Sequence, residues 1–409
     1  MPSPLLNLAD ELRTIIVDII ERDDIHDVVN LSSTCRSYRN ILVPKLFQTV
    51  ILRNSEKSGQ AIKEFFRSKN SIFVRNLHYK GKSYLPPDHI LGPSEKEIDT
   101  SGDIPETILS DATREILSDL KSFSNLEQLI IEFEWDDEQL SWAFYHFDED
   151  ETVHQTNERE SKDAWRALMA KTYAAIGTNK ATSKIKSLEF RNVLPKVPSS
   201  WKSADFIEFL GSVLEFKISI YAMENGVGWC MNTNEGYFTF LYDIGRRLTT
   251  HLDTVETLSI AANDYGPIGS EGIRHMPSFL RLESMPKLKY LNLQYFILDL
   301  PLIRFIESHI DVLEGINLED CYAAVSNGLA EAGIPWKDFF DRITAKQPTK
   351  LKLLAINPAT VKMPWGNVCE DEEDDEEYIN GKALLDSGRK PFSYGYLVST
   401  DCCKSLYVS

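Results

Sequence analysis

A short apolar pattern recurs along the chain and constrains its fold more than any other feature of the sequence. In each run, apolar residues occupy the first, fourth and sixth positions. Residues two apart on a β-strand point to the same side, so the fourth and sixth positions predict a strand with one buried face. The first position comes three residues earlier, where a turn into the strand can still reach the same core. The runs span residues 74–79, 126–131, 185–190, 213–218, 255–260, 288–293, 313–318 and 351–356.

This recurrence is typical of leucine-rich repeats. A single unit of such a repeat cannot bury its apolar face, so neighbouring units must stack into a solenoid. Amphipathic stretches lie between the runs, for example at 108–120, 165–173 and 238–248, and they predict helices that pack on the strand layer. We therefore expect an α/β fold, in which an irregular leucine-rich-repeat horseshoe carries parallel strands on its concave face and helices outside.

The spacing between the runs is uneven. From Leu77 to Leu354 the fourth positions advance by 52, 59, 28, 42, 33, 25 and 38 residues. A regular unit of this repeat has about 20–29 residues. The sequence therefore predicts a repeat domain over 51–361 with insertions at about 81–120 and 132–164, and such insertions often decorate a binding face.

Residues 5–50 have a different texture and predict three short helices. The second is expected at Ile25–Thr34, and Pro44 is expected to stop the third because proline lacks an amide donor. Residues 46–52 then predict a strand. Three short helices bury little surface alone, so this unit needs a partner or a neighbouring domain. The first helix is predicted by an apolar stripe at Leu8, Leu12, Ile15, Ile16, Ile19 and Ile20.

The order of these residues resembles an F-box, in the form found in fungal F-box proteins. Leu8-Ala9-Asp10-Glu11-Leu12 is similar to the family's Leu-Pro-x-Glu-Leu opening, although Ala9 stands where proline is usual. Leu31, Cys35-Arg36 and Tyr38-Arg39 are similar to its central motif, and Leu46-Phe47 to its ending. The resemblance implies docking on a Skp-type adaptor and, through it, on a cullin. The contact residues that it implies are Leu8, Glu11, Leu12, Ile15, Ile16, Leu31, Cys35 and Tyr38.

An alternative is that these helices only cap the solenoid. The ends of a solenoid must shield the core of their terminal repeat, and a three-helix unit can do this. The two roles can coexist in one protein. Adaptor binding distinguishes the two roles. In F-box proteins the proline that Ala9 replaces helps to shape the edge that meets the adaptor, so Ala9 makes adaptor binding the point to test.

Charge and cysteine usage bound the partners and the compartment. A net charge of −18 argues against nucleic-acid binding, which depends on Lys and Arg, and it favours a protein substrate of basic character. No run approaches the length of a membrane span, and the first ten residues lack the basic and apolar regions of a signal peptide. The six scattered cysteines include no C-x-x-C pair, so we expect reduced thiols in the cytoplasm or nucleus.

Two segments are strongly acidic. Residues 132–151 mix carboxylates with aromatic side chains, which suggests either a lid for a basic, partly apolar peptide or a solvated insertion resting on the horseshoe rim. Residues 370–377 are consecutive carboxylates, whose mutual repulsion predicts a disordered loop within a C-terminal segment at 362–409.

Motifs for catalysis are absent from the sequence. There is no phosphate-binding loop, nucleophile elbow, dinucleotide fingerprint or His-Glu-x-x-His zinc motif. Cys321 and Asn263 occupy the ninth positions of their runs, where they can satisfy backbone groups at a turn. We therefore do not expect an enzyme, and we expect no cofactor and no metal. The resemblance to an F-box instead implies a substrate-recognition subunit of a Skp-cullin-F-box ubiquitin ligase. The alternative is a stand-alone scaffold for protein interactions.

Overall fold

The computed structural model describes much of the chain between residues 8 and 358. The described residues are 8, 12, 15–16, 25–34, 36–82, 108–134, 153–179, 185–222, 235–263, 265–269, 279–322, 334 and 336–358. The acidic run at 370–377, the C-terminal segment at 362–409 and most of the acidic insertion at 132–151 lie outside them.

In the described part of the chain, nine strands form one parallel sheet, and their order in the sheet is their order in the chain. Each strand therefore lies between its predecessor and its successor, which is compatible with a solenoid-like α/β fold. The strands are β1 (Thr49–Arg53), β2 (Asn76–Lys82), β3 (Gln128–Glu134), β4 (Ser187–Val193), β5 (Glu215–Ile220), β6 (Thr257–Ala261), β7 (Tyr290–Gln294), β8 (Gly315–Cys321) and β9 (Leu353–Pro358).

Helices lie in the described connections between successive strands, except between β6 and β7, where the described residues include none. Several begin at a side chain that accepts a hydrogen bond from the first turn: Ser55, Ser110, Ser203 and Asp299 each satisfy a backbone N–H that would otherwise lack a partner. The helices are α1 (Ile25–Thr34), α2 (Arg36–Leu46), α3 (Glu56–Phe66), α4 (Asp111–Ser118), α5 (Val153–Lys162), α6 (Ala164–Gly177), α7 (Ala204–Leu210), α8 (Glu235–Arg247), α9 (Leu300–His309) and α10 (Trp336–Ala345).

The recurring apolar positions align across the sheet as predicted. The fourth position of each run pairs in register with the fourth position of the next, as Leu77 does with Leu129 and Leu291 with Ile316. The sixth positions form a second row in the same way. Both rows lie in one continuous core together with the inner faces of the helices, and none of their members is more than 2% exposed. This confirms the predicted strands and their buried face.

The turn into each strand also repeats. The first position of every run is buried in the same core. The carbonyl of the second position then accepts two N–H groups from the next run. For example, Glu127 O accepts from Lys186 N at 2.8 Å and from Ser187 N at 3.0 Å. The same pair of hydrogen bonds to one carbonyl recurs at each strand entry from Gln48 to Glu314. It fixes the entry to each strand through backbone groups alone.

The exits from several strands share a backbone feature. Asn192, Tyr295 and Asp320 occupy the eighth positions of their runs and adopt left-handed conformations, with φ of 53°, 56° and 48°. The left-handed residue turns the chain, and the ninth side chain in each of these runs is buried. At one ninth position the Cys321 thiol donates to Leu293 O at 3.7 Å. At another, Asn263 Nδ2 donates to Ala222 O at 2.7 Å. The predicted structural role of these two residues is confirmed.

The N-terminal helices have a small core of their own. Val28, Tyr38 and Leu42 form a buried cluster separate from the main core. The prediction that Pro44 stops the third helix is wrong, because α2 runs through Pro44 to Leu46. Proline this close to a helix end removes one hydrogen bond from the last turn, and Phe47 N still bonds Val43 O at 3.2 Å. The following strand consequently begins at Thr49 and not at residue 46.

Candidate protein-interaction surfaces

The N-terminal helical unit exposes large apolar side chains. Leu12, Ile15 and Val29 are 50%, 53% and 49% exposed, and we call them the N-terminal apolar surface. Leu12 and Ile15 are in helical conformation, as the apolar stripe predicted. Exposed aliphatic side chains of this size on a small folded unit suit a docking surface, since burying each against a partner is favourable by about 1.5–3 kcal/mol.

The structure distributes the other predicted adaptor-binding residues between surface and core. Leu8 and Ile16 are partly buried, and Leu31 packs against the small core of the N-terminal unit. Tyr38 belongs to that core and is only 3% exposed, so its contribution to a binding surface is to hold the helices in place. Glu11 and Cys35 lie outside the described residues.

Local hydrogen bonds fix the turn between the two N-terminal helices. Arg39 Nε donates across the turn to Ser32 O at 3.3 Å. At the end of α1, Ser32 Oγ donates to Val29 O at 2.6 Å and Thr34 Oγ1 to Leu31 O at 2.7 Å. These bonds use carbonyls at the helix end that have few other partners. Val29, one member of the N-terminal apolar surface, thus lies on a helix pair that has its own core and its own helix-end bonding.

The sheet presents a second surface on the side opposite its helices. The third, fifth and seventh positions of the runs point to this side, which we call the open face. On β2–β5, charged side chains there pair with one another. His78 Nε2 lies 2.6 Å from Glu132 Oε2, Lys80 Nζ lies 3.3 Å from Glu134 Oε1, and Lys217 Nζ lies 2.9 Å from Glu215 Oε1. Arg191 likewise pairs with Glu189. We call this part the charged half.

His78 is held in its neutral form within the charged half. Burial lowers the pKa of its imidazole, and although the hydrogen bond to Glu132 opposes this effect, the nearby Arg191 and Lys80 reinforce it. The imidazole is therefore a hydrogen-bonding partner of Glu132 near neutral pH, and it gains a positive charge only as the pH falls.

On β6–β9 the third and fifth positions of the open face carry no charged side chain, whereas the seventh positions include Glu319 on β8. We call the side chains at these third and fifth positions the neutral half. Its hydrogen-bonding side chains include Asn292, whose Nδ2 donates to Ser259 Oγ at 3.0 Å. Sequence reasoning did not single out these residues. The signal available was asparagine at the fifth position of two consecutive runs. The eight side chains are Thr257, Ser259, Tyr290, Asn292, Gly315, Asn317, Leu353 and Ala355.

Groups suited to catalysis are few in the described part of the chain. Burial raises the pKa of the Cys321 thiol to about 12, so this sulfur is not a nucleophile near neutral pH. A small cleft between α5 and α8 contains Thr156, Lys196 and Asp243 in its lining. Its enclosed volume of about 30 Å³ has room for about two water molecules. The described side chains include no cluster of His, Cys, Asp and Glu arranged to hold a metal ion.

No protein-family model matches the chain, and no curated protein is significantly similar to it. Among the helices that the structure describes, none is both long enough and apolar enough to span a lipid bilayer.

Proposed function

We propose that this protein is a substrate-recognition subunit of a Skp-cullin-F-box ubiquitin ligase. Its N-terminal helices would serve as the F-box, and its parallel sheet with flanking helices as an irregular leucine-rich-repeat horseshoe. The observation that carries the proposal is the exposure of Leu12, Ile15 and Val29 in an N-terminal region whose helices α1 and α2 have a core separate from that of the sheet. The resemblance of residues 8–47 to the F-box motif supports the same assignment.

In this role the protein performs no chemistry. The adaptor and cullin carry the catalytic partner, and the repeat domain holds a protein substrate beside it. Tethering raises the effective concentration of the substrate's lysines, which increases the rate of modification without any catalytic group on this chain. The net charge of −18 predicts long-range attraction of a basic target.

The packing favours an adaptor-binding unit over a simple cap. A cap stabilises a solenoid by burying its apolar side chains on the terminal repeat. Here Val28, Tyr38 and Leu42 form their own cluster, while Leu12 and Ile15 remain half exposed. The stand-alone scaffold, whose helices only cap the sheet, is therefore the second candidate.

Co-expression with a Skp-type adaptor tests the proposal. The wild-type chain is expected to co-purify with the adaptor in a stoichiometric complex. A Leu12→Asp/Ile15→Asp double variant should weaken the complex at least about 100-fold, because two apolar anchors are replaced by charges that stay unpaired in the interface. Leu282→Asp is the matched control, since Leu282 is also 50% exposed but lies in the loop before β7.

The result against the proposal is equally clear. A folded wild-type chain that does not bind the adaptor would leave the scaffold as the better description. Equal adaptor binding by the double variant and the Leu282→Asp control would show that the N-terminal apolar surface is not the docking site. Circular dichroism on each variant ensures that lost binding is not lost folding.

A further inference from the structure

The two halves of the open face differ in how much of their hydrogen-bonding capacity the chain itself uses. In the charged half, the carboxylates of Glu132, Glu134, Glu189 and Glu215 each have a Lys or Arg partner, which for Glu132 is Lys80. In the neutral half, the side-chain amide of Asn317 makes no hydrogen bond with any described residue, and the side-chain amide of Asn292 uses one donor, towards Ser259. The neutral half therefore has polar groups left to bind a partner.

The chemistry of these groups matches a peptide main chain. A primary amide offers one acceptor oxygen and two donor hydrogens, which complement the N–H and C=O groups of an extended segment. Asn292 and Asn317 pair in register on neighbouring strands, about 4.8 Å apart. A charged side chain brought against the neutral half would lose water without gaining an ion pair, so an uncharged segment is favoured.

Tyr290 adds an aromatic platform beside the two amides. It is 38% exposed and pairs in register with Gly315. A Cβ at position 315 would lie 2.9 Å from Cδ1 of the Tyr290 ring, so the ring lies against the backbone of Gly315. Its hydroxyl is 3.4 Å from Glu314 Oε2. A tyrosine ring held in this way offers contact area at a small cost in conformational entropy.

We propose that the neutral half is the substrate-holding site and that it binds an extended, uncharged protein segment. The main chain of that segment bonds to Asn292 and Asn317, and one of its apolar side chains packs on Tyr290. This inference rests on the proposed function, because it assigns the substrate site of the same receptor. Charge would act at two ranges in this arrangement. The net charge of −18 would attract a basic target protein from a distance, while the segment of that target that contacts the neutral half would be uncharged.

A peptide selection tests the inference without knowledge of the natural substrate. Random peptides of about twelve residues displayed on phage are selected on the full chain, and the most enriched sequence is synthesised with a fluorophore. We expect enriched segments without Lys, Arg, Asp or Glu. Asn317→Leu and Tyr290→Ala should each weaken binding about tenfold, as expected for a lost hydrogen bond or aromatic contact.

The controls separate the two halves of the open face. Lys217→Met removes a charge from the charged half and should change the affinity less than about twofold, as should an increase in salt from about 0.05 to about 0.5 M. Gly315→Ala is a second variant that displaces the Tyr290 ring without removing it, and it should also weaken binding. Thermal unfolding establishes that every variant is folded.

Several outcomes would overturn the inference. These are enrichment of basic peptides, equal losses in Lys217→Met and Asn317→Leu, and failure to enrich any peptide. Self-association of the wild-type chain that Asn317→Leu abolishes would also overturn it, because the neutral half would then be an interface between copies. Adaptor co-purification is measured on the same variants and should be unchanged. A wild-type chain that binds the adaptor but enriches no peptide counts against this inference alone, and a wild-type chain that does not bind the adaptor counts against the proposed function.

Discussion

At the scale of single residues, His78 shows how the open face responds to its surroundings. Its ring lies on β2 between the backbone of the sheet and the carboxylate of Glu132, with side-chain exposures of 12% and 17% for the two partners. Lys80 competes for the same carboxylate at 3.7 Å. The imidazole therefore gains less from Glu132 than an isolated pair would, and its burial prevails in setting the direction of the pKa shift.

The lowered pKa of His78 predicts a loss of stability in mild acid. The unfolded chain takes up this proton near pH 6.5, whereas the folded chain takes it up only at lower pH. The contribution is therefore fully present above about pH 6.5 and is lost as the pH falls through the folded pKa. Urea unfolding should show that the wild type loses more unfolding free energy than His78→Gln between about pH 7 and about pH 5. Parallel losses in the two proteins would contradict this.

At the scale of elements, the separate core of the N-terminal helices makes them a unit that can be lost alone. Tyr38 is one of three buried apolar side chains that the described residues contribute to this core, and α2 approaches the repeat region at the 3₁₀ turn Lys69–Phe73. The sheet, in contrast, has a core that runs from Leu52 to Ile356. Local unfolding of the small unit should therefore cost less free energy than global unfolding.

Tyr38→Ala should unfold this unit and leave the sheet intact. Removing a buried aromatic side chain costs about 3–5 kcal/mol of unfolding free energy. This loss exceeds the stability that we expect of so small a core. We expect faster amide hydrogen exchange in α1 and α2, unchanged exchange in β3–β8, and loss of the adaptor complex. Faster exchange throughout the sheet would show that the two cores unfold together.

The helices and strands that could be predicted from the sequence are those with a clear apolar periodicity. The strands could be predicted because each buries two residues at a spacing that recurs, and register follows once the same positions align. Helix α7 was missed because Ala204–Leu210 is about two turns long and too short to display a helical period. Helix α3 was missed because it buries only Gly59 and Ile62.

The candidate sites were predictable to different degrees for a related reason. The N-terminal apolar surface has a contiguous motif in the sequence, so most of its residues could be named beforehand. The neutral half has none, because Asn292 and Asn317 are 25 residues apart and become neighbours only through the pairing of β7 with β8. A single asparagine on the outer side of a strand is an ordinary surface residue. The two asparagines become a candidate site only when the pairing of β7 with β8 places them side by side.

At the scale of the whole molecule, the core is a continuous stack in which each strand supports its two neighbours. Ile316 on β8 pairs with Leu291 and Leu354, and it is fully buried. In an array of this kind, stability is a sum of unit and nearest-neighbour terms. Damage at one strand should therefore spread to the adjacent strands before it reaches distant ones.

Ile316→Ala tests this organisation. It should lower the unfolding free energy by about 2–5 kcal/mol, because it removes buried methyl groups and leaves a cavity. Amides of β7 and β9 should exchange faster than those of β2 and β3, which are several units away. A uniform increase in exchange over all strands would instead indicate that the sheet unfolds as a single cooperative block. Ile51→Ala on β1 is the matched control, since Ile51 is 46% exposed.

The agreement between strand order and chain order has a consequence for how the protein is made. Every strand after the first pairs with the strand that precedes it in the chain. That preceding strand has already been synthesised when the new strand emerges from the ribosome. The nascent chain never has to hold an unpaired central strand while it waits for a distant one, so slow, long-range searching is avoided. The strand order therefore allows this sheet to form from β1 towards β9 during synthesis, with one edge available for each new strand.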